Sequence, residues 1–475
     1  MSIDPQTIAR QIPLSVRGAI EHLPIADLIL GSRQLRIRKK SVLDSMGASI
    51  RQFGFLVPVL IDAENQIICG KGRVDAAHLV GLSEVPCVRV THLSNAEKRV
   101  FAIAENQLGQ MAGWDQETLR VELTELTGMD LSFSLELTGF SSAKIDAIVF
   151  GGDGNDARGD AIPALPDQIV SRVGDLWLLG DSRLLCGDAT DPESFDRLLA
   201  GEQVRVVFTD PPYNVAVAGH VTSGGKHGEF VMASGEMSDD EFTDFSTKVM
   251  WRASENLIDG GVAYYCMDWR HIEHTLSASK SARLELLNLV VWDKKAGGMG
   301  SFYRSRHELI FVFRKPGASH LNRVELGKHG RDRANVWTYE GVNGFGAAKA
   351  KAREMHPTVK PLGLVRDAIL DCTQREDAVL DLFSGSGTTI IAAESVGRRG
   401  FATELDPRYV DVGVIRWQEF TGHEARLAST GQTFREVRAE RTMWPTSAGE
   451  NPDVPTADII SLPKPRVRTR TRLAA

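Results

Sequence analysis

Val206-Val207-Phe208-Thr209-Asp210-Pro211-Pro212-Tyr213 is an apolar run that ends on an acid and two prolines. It reads as a buried strand stopping at a rigid turn, because proline fixes its own φ and restricts the residue before it. In open α/β sheets the loops at the carboxyl ends of parallel strands hold the sites. The stretch therefore predicts an α/β sheet with a site at this turn. A helix is expected just before it, at Pro192 to Leu199. After Tyr213 a polar, glycine-rich run continues to Gly235, long for a compact domain and so expected to be a functional loop. Ser238-Asp239-Asp240-Glu241 is a capping box that opens a helix to about Leu257. Strands are expected at 260–267, 286–292 and 307–313, and a helix at 269–279.

A second stretch repeats the pattern downstream. Ala378 to Phe383 reads as a strand, Ser384-Gly385-Ser386-Gly387-Thr388-Thr389 as its loop, and Ile390 to Val396 as the helix that follows. Arg399 to Glu404 is the next strand and Pro407 to Phe420 the next helix. Ile390 stands where the third glycine of a dinucleotide fingerprint would fall, which argues against NAD. No lysine follows the glycines, so a Walker phosphate loop is excluded. Glu404 closes the next strand, where a carboxylate can bind both ribose hydroxyls. A loop with no phosphate device beside a ribose acid fits a nucleoside cofactor without pyrophosphate, such as S-adenosylmethionine. A plain glycine turn is the bland alternative.

The turn at Asp210 has a chemistry that suits such a donor. The exocyclic amine of adenine is a poor nucleophile, because its lone pair is spread into the ring. The Asp210 carboxylate and the Pro211 carbonyl can hold its two hydrogens and aim the lone pair, while Pro211 and Pro212 stiffen the backbone. That is positioning and electrostatic help, not covalent catalysis. Tyr213 offers a ring on which a base can stack, and a base must leave the duplex to reach it. A bare loop start is the bland reading.

The chain has 475 residues, room for two to four domains at about 150 each. Its longest apolar run, Phe55 to Ile61, is far too short to span a membrane, and the start has no signal-peptide pattern. A cytoplasmic protein is expected. Five scattered cysteines without a CxxC pair read as buried thiols, and no metal site is expected. The formal charge of −7 argues mildly against a nucleic-acid partner. The distribution argues for one. Between Asp293 and Arg333 ten Lys/Arg face four acids, a local +6, with Phe302 and Tyr303 inside the stretch.

The expected organisation is a lead-in (1–20), a first domain (21–112), a helical extension (113–150), a Gly/Asp-rich linker (151–167), a second domain (168–425) and a polar, basic tail (426–475). In the first domain a helix is expected over Val42 to Phe53 with Gly54 as its cap. Strands follow at 57–62, 66–69 and 85–90. Gly70-Lys71-Gly72-Arg73 lies at a strand-to-helix junction, where backbone N–H groups and two cations can meet a phosphate. A tight turn with exposed basic residues is equally compatible.

Residues 21–112 resemble the ParB-like N-terminal domain of partition proteins, in which an arginine-rich version of this turn binds a nucleotide. Lys71 and Arg73 depart from that pattern. Residues 168–425 resemble the amino-methylating DNA methyltransferases, through Asp210 to Tyr213 followed by Asp381 to Thr389. Asp210, where cytosine-N4 enzymes commonly carry a serine, favours the N6-adenine group. The catalytic motif precedes the cofactor motif, as in the permuted β class. The resemblance implies a Rossmann-like, mostly parallel sheet with one antiparallel strand, plus a small α+β N-terminal domain. It implies S-adenosylmethionine as cofactor, double-stranded DNA as substrate, and a recognition region near 294–355. Asp210, Pro211, Pro212 and Tyr213 take the catalytic role. Asp188, Thr358, Lys360, Asp381, Phe383, Ser384, Gly385, Ser386, Gly387, Thr388 and Glu404 take the cofactor. Phe302, Tyr303, Arg304 and Arg306 take the flipped base or the DNA. A homodimer, a nucleotide at the first domain, and a bacterial or phage-borne, nucleoid-associated enzyme are further expectations. The alternatives are cytosine-N4 methylation and a nucleotide-dependent partition protein.

Overall fold

The structure, a computed structural model, describes residues 20–30, 38–111, 113–127, 129, 131–150, 159–166, 168–214, 235–295, 302–324, 333–340 and 359–443. The chain divides into two compact units, Met1–Gly152 and Asp153–Ala475. Among the described residues no helix is long and apolar enough to cross a membrane.

The first unit runs β1 (Glu21–Pro24), α1 (Lys40–Phe53), β2 (Val59–Ile61), β3 (Ile67–Cys69), α2 (Lys71–Leu79), β4 (Glu84–Arg89), α3 (Asn95–Met111), α4 (Gln116–Thr127) and α5 (Ser142–Phe150). Its four strands lie in the order β1-β4-β2-β3. Strand β1 adds an antiparallel edge to β4 that the sequence reading did not anticipate. Val59, Ile61, Val74, Ala77, Val85 and Cys87 form the core. Alternation along β2 and β4 and the Val74/Ala77 spacing on α2 aim these side chains inward. Gly54 ends α1 at φ 83, a value that suits glycine.

The second unit continues with β5 (Leu176–Leu179), β6 (Ser182–Cys186), α6 (Pro192–Leu199), β7 (Val204–Thr209), α7 (Asp239–Asn256), β8 (Leu257–Met267), α8 (Ile272–Ser281), β9 (Glu285–Asp293), β10 (His307–Arg314), β11 (Val336–Thr338), α9 (Leu362–Cys372), β12 (Ala378–Asp381), α10 (Thr388–Ser395), β13 (Arg399–Glu404), α11 (Pro407–Thr421), β14 (Arg426–Leu427) and α12 (Phe434–Met443). Ten strands form one sheet in the order β11-β9-β10-β8-β7-β12-β13-β6-β5-β14. Strands β8, β7, β12, β13 and β6 run parallel to one another. The reversed strand is β10, antiparallel to β8 and β9. At the other edge β5 is reversed too, because the β5–β6 hairpin turns at Gly180. Val207, Phe242, Phe245, Tyr265, Phe311, Leu380 and Phe401 belong to one continuous core. The capping box is present: Ser238 Oγ accepts from Glu241 N, and the Glu241 carboxylate accepts from Ser238 N.

Two boundaries differ from the sequence reading. The tail expected from 426 does not hold over residues 426–443, which fold. Strand β14 pairs with β5, Phe434 and Val437 are buried, and Phe434 meets Trp177 with ring centroids 5.2 Å apart. Their polar surroundings hid two apolar anchors one helical turn apart. The end of the expected linker is likewise built into the second unit. Asp160 Oδ1 accepts from Leu362 N at 3.0 Å and Gly159 O from Arg416 Nη2 at 2.7 Å.

Candidate active site

Parallel pairing brings the chemistry to one edge. Val207 is level with Leu380 and Leu380 with Phe401, while Glu404 is level with Cys186. The carboxyl ends of β6, β7, β12 and β13 therefore carry Asp188, Asp210, Asp381 and Glu404 on neighbouring strands. Thr209, the last residue of β7, ties two of them: its Oγ1 accepts from Leu382 N at 3.3 Å.

At the glycine loop, Asp381 is buried and accepts from Phe383 N at 3.0 Å and Thr389 Oγ1 at 2.6 Å. Glu404 accepts from Gly385 N at 2.8 Å and Asp406 N at 2.9 Å. Burial pushes Asp381 up to about 6 and Glu404 up to about 7, against the hydrogen bonds that would lower them. Gly387 caps α10 at φ 81, and a Cβ there would stand 3.2 Å from Gly413 Cα. Only glycine meets both demands without strain. Arg416 braces the loop from below, donating to Ser386 O at 3.0 Å, Ser386 Oγ at 3.1 Å and Thr388 Oγ1 at 2.9 Å. Burial lowers its pKa to about 10. Ser384 Oγ is buried and has no hydrogen-bond partner among the described residues. Phe383 packs against Phe245 at 6.1 Å between ring centroids. Asp188 accepts from Thr190 N at 2.7 Å and Thr190 Oγ1 at 2.9 Å. A loop pinned from behind, with an unmet hydroxyl and an acid held near neutrality, fits a ligand that brings hydroxyl donors and an amine.

At the proline turn the surroundings are ionic. Lys360 Nζ lies 2.5 Å from Asp210 Oδ2 and 2.6 Å from Glu308 Oε1. Lys294 Nζ is 2.6 Å from Glu308 Oε2. The Tyr213 hydroxyl contacts Asp210 Oδ1 and lies 2.7 Å from Glu308 Oε1. Lys360 donates to that hydroxyl at 3.3 Å. Burial raises the pKa of Asp210, offset in part by Lys360 and reinforced by Glu308. Burial also works against Glu308 ionising, but Lys360 and Lys294 outweigh it and hold Glu308 down to about 2. Burial would neutralise Lys360, and the two acids reverse that and raise its pKa. Asp210, Cys266 and Glu308 offer ligand atoms within 4.8 Å of one another. The Lys360 ammonium already lies against both carboxylates there, so the cluster does not call for a metal.

Lys360, expected at the cofactor, is thus drawn to Asp210. Thr358 lies outside the described residues, as does the loop 215–234. Phe302 and Tyr303 are 85% and 80% exposed, with ring centroids 4.4 Å apart. Arg304 is exposed, and Arg306 pairs with Asp293 at 2.6 Å. In the first unit Lys71 pairs with Asp75 at 2.7 Å and Arg73 Nη2 donates to Pro58 O at 3.3 Å, so both cations of that turn already have internal partners. Glu308, Lys294 and Arg416 were missed as site residues. Glu308 had one signal, an acid inside a strand that is otherwise apolar from Leu309 to Phe313.

Residues 204–415 match the family described as DNA methylase, 10–107 the ParB N-terminal domain and 117–173 the ParB-methyltransferase HTH domain. The sequence reading had only a helical extension over part of that last span. The type II methyltransferase M2.MboI of Moraxella bovis is 25% identical over 227 residues, 46% of this chain and 82% of that protein. M2.DpnII of Streptococcus pneumoniae is 27% identical over 239 residues, 47% and 85%. Among solved structures, M1.HpyAVI in complex with SAM is 20% identical and covers 49% of this chain and 97% of that one, at a TM-score of 0.37.

Proposed function

We propose, for a chain that joins a ParB N-terminal domain to a unit of the N6/N4 DNA methylase family, that it methylates the N6 amine of adenine in double-stranded DNA, with S-adenosylmethionine as donor and the target base turned out of the duplex. The observation that carries the reading is the adjacency of β7, β12 and β13, which sets a partly buried Asp-Pro-Pro turn beside a braced glycine loop and its acid. The cofactor, when bound, supplies a methyl group on a sulfonium. Glu404 would accept from the ribose hydroxyls, the Ser384 hydroxyl and Asp381 would take polar groups at the loop, and Asp188 the adenine.

Asp210 and the Pro211 carbonyl would each accept one hydrogen of the target amine. A carboxylate oxygen has two lone pairs. Lys360 and Tyr213 each occupy one Asp210 oxygen, so each oxygen keeps an acceptor site. The Tyr213 ring stacks the base while its hydroxyl is anchored. Phe302, Tyr303 and Arg304 supply an exposed aromatic and cationic rim for the DNA. Asp210 in place of serine is what favours adenine over cytosine N4, the second reading, which the N6/N4 breadth of the family keeps in play.

The test is Asp210→Asn. Methyl transfer to duplex DNA is expected to fall by about 100-fold or more, with cofactor affinity within about twofold of wild type. Wild-type transfer by this variant contradicts the assignment.

A further inference from the structure

Glu308 is a buried acid from β10, far in sequence from both motifs, yet it shares two partners with Asp210. Lys360 bridges the two carboxylates at 2.5 and 2.6 Å. The Tyr213 hydroxyl touches both. It has one hydrogen and cannot donate to two carboxylates at once. Lys294 closes the set from the end of β9, so two cations balance two acids. Without Glu308, Lys360 and the Tyr213 hydrogen would serve Asp210 alone, and a carboxylate so held is a poorer base. Sharing them leaves Asp210 more basic.

That matters because the amine must shed a proton. When the N–CH3 bond forms, the C–S bond breaks and its electron pair stays on sulfur. The nitrogen, now positive, loses one N–H bond, whose electron pair returns to nitrogen, and the proton needs an acceptor within hydrogen-bond reach. We infer that Glu308 is a positioning residue that, through Lys360 and Tyr213, keeps Asp210 basic enough to take this proton. The inference rests on the amine-methylase reading above. The charged and titratable groups facing Asp210 are Tyr213 on its own turn, Tyr265 and Cys266 from β8, Glu308 from β10, Asp381 from β12, and Lys360; Lys294 acts on it through Glu308.

The experiment is single-turnover methylation of a duplex oligonucleotide across pH, using the full chain. Glu308→Gln should slow transfer about tenfold, leave cofactor and DNA affinities within about twofold, and move the acid limb of the rate profile to lower pH. Glu308→Asp should recover part of the rate. Lys294→Gln/Glu308→Gln restores charge balance, and it carries the test if the single variant folds poorly. A Glu308→Gln rate and acid limb equal to wild type overturn the inference. So does a slowed rate with an unmoved limb, which marks a purely structural role. Asp210→Asn in parallel separates the failures: if it too methylates at the wild-type rate, the reading of the site falls first.

Discussion

Two turns in this chain share one local grammar and differ in what surrounds them. Gly70 to Arg73 and Gly385 to Thr388 both follow a strand, and in each a left-handed glycine, Gly70 at φ 107 and Gly387 at φ 81, opens a helix. Around the first, Lys71 is held by Asp75 and Arg73 by the Pro58 carbonyl. Around the second, the braces come from behind, and Ser384 Oγ and the Glu404 carboxylate remain for a ligand. The same turn chemistry yields a satisfied junction in one place and a receptive one in the other. What decides between them is whether neighbouring groups satisfy the turn's polar atoms, not the glycine pattern.

Three substitutions press on that contrast. Glu404→Ala removes the acid that makes the second turn receptive. Two charge-assisted hydrogen bonds at about 1.5–3 kcal/mol each predict at least 100-fold weaker S-adenosylmethionine binding by calorimetry. A loss below threefold would place the second turn with the first. Gly387→Ala forces a side chain into a left-handed backbone and against Gly413 Cα. A loss of about 2 kcal/mol in unfolding free energy is expected, and an unchanged denaturant midpoint counts against the packing described. Lys71→Ala removes a partly exposed i,i+4 pair worth less than about 1 kcal/mol. It should leave methyl transfer unaltered, and a tenfold fall would give that turn a part in the reaction.

The second turn also carries a pH signature. Glu404 is raised to about 7 in the free protein, and only its ionised form accepts from two hydroxyls. Binding therefore favours loss of its proton, so affinity for S-adenosylmethionine should rise as pH climbs from 6 to 8, by up to about tenfold. Glu404→Gln should bind more weakly with a flat profile. A wild-type profile that falls with pH reverses the sign and contradicts the role.

The parts of the site legible in the sequence are those at strand ends. Asp210, Asp381 and Glu404 each close an apolar run, and the sheet delivers them to one edge. The parts not legible arrive from elsewhere. Glu308 reaches Asp210 only because antiparallel β10 is level with β8, Leu309 opposite Met267. Arg416 reaches the loop from α11, and Gly159 meets it from a segment whose composition reads as linker. Lys360, which the resemblance assigns to the cofactor, is held at the proline turn by the Asp210 and Glu308 carboxylates, a placement that only the fold brings about. Residues 434–443 were read as tail because their composition is polar, although Thr433 and Glu436 form a capping pair that announces a helix.

The central claim concerns one atom, the amine on which the methyl group lands. Duplex DNA incubated with the purified chain and isotope-labelled S-adenosylmethionine, digested to nucleosides and analysed by mass spectrometry, reads it directly. The label is expected in N6-methyladenine and about 100-fold or more lower with Asp210→Asn. Label in N4-methylcytosine would contradict the adenine assignment, and transfer by Asp210→Asn at the wild-type rate would contradict the site.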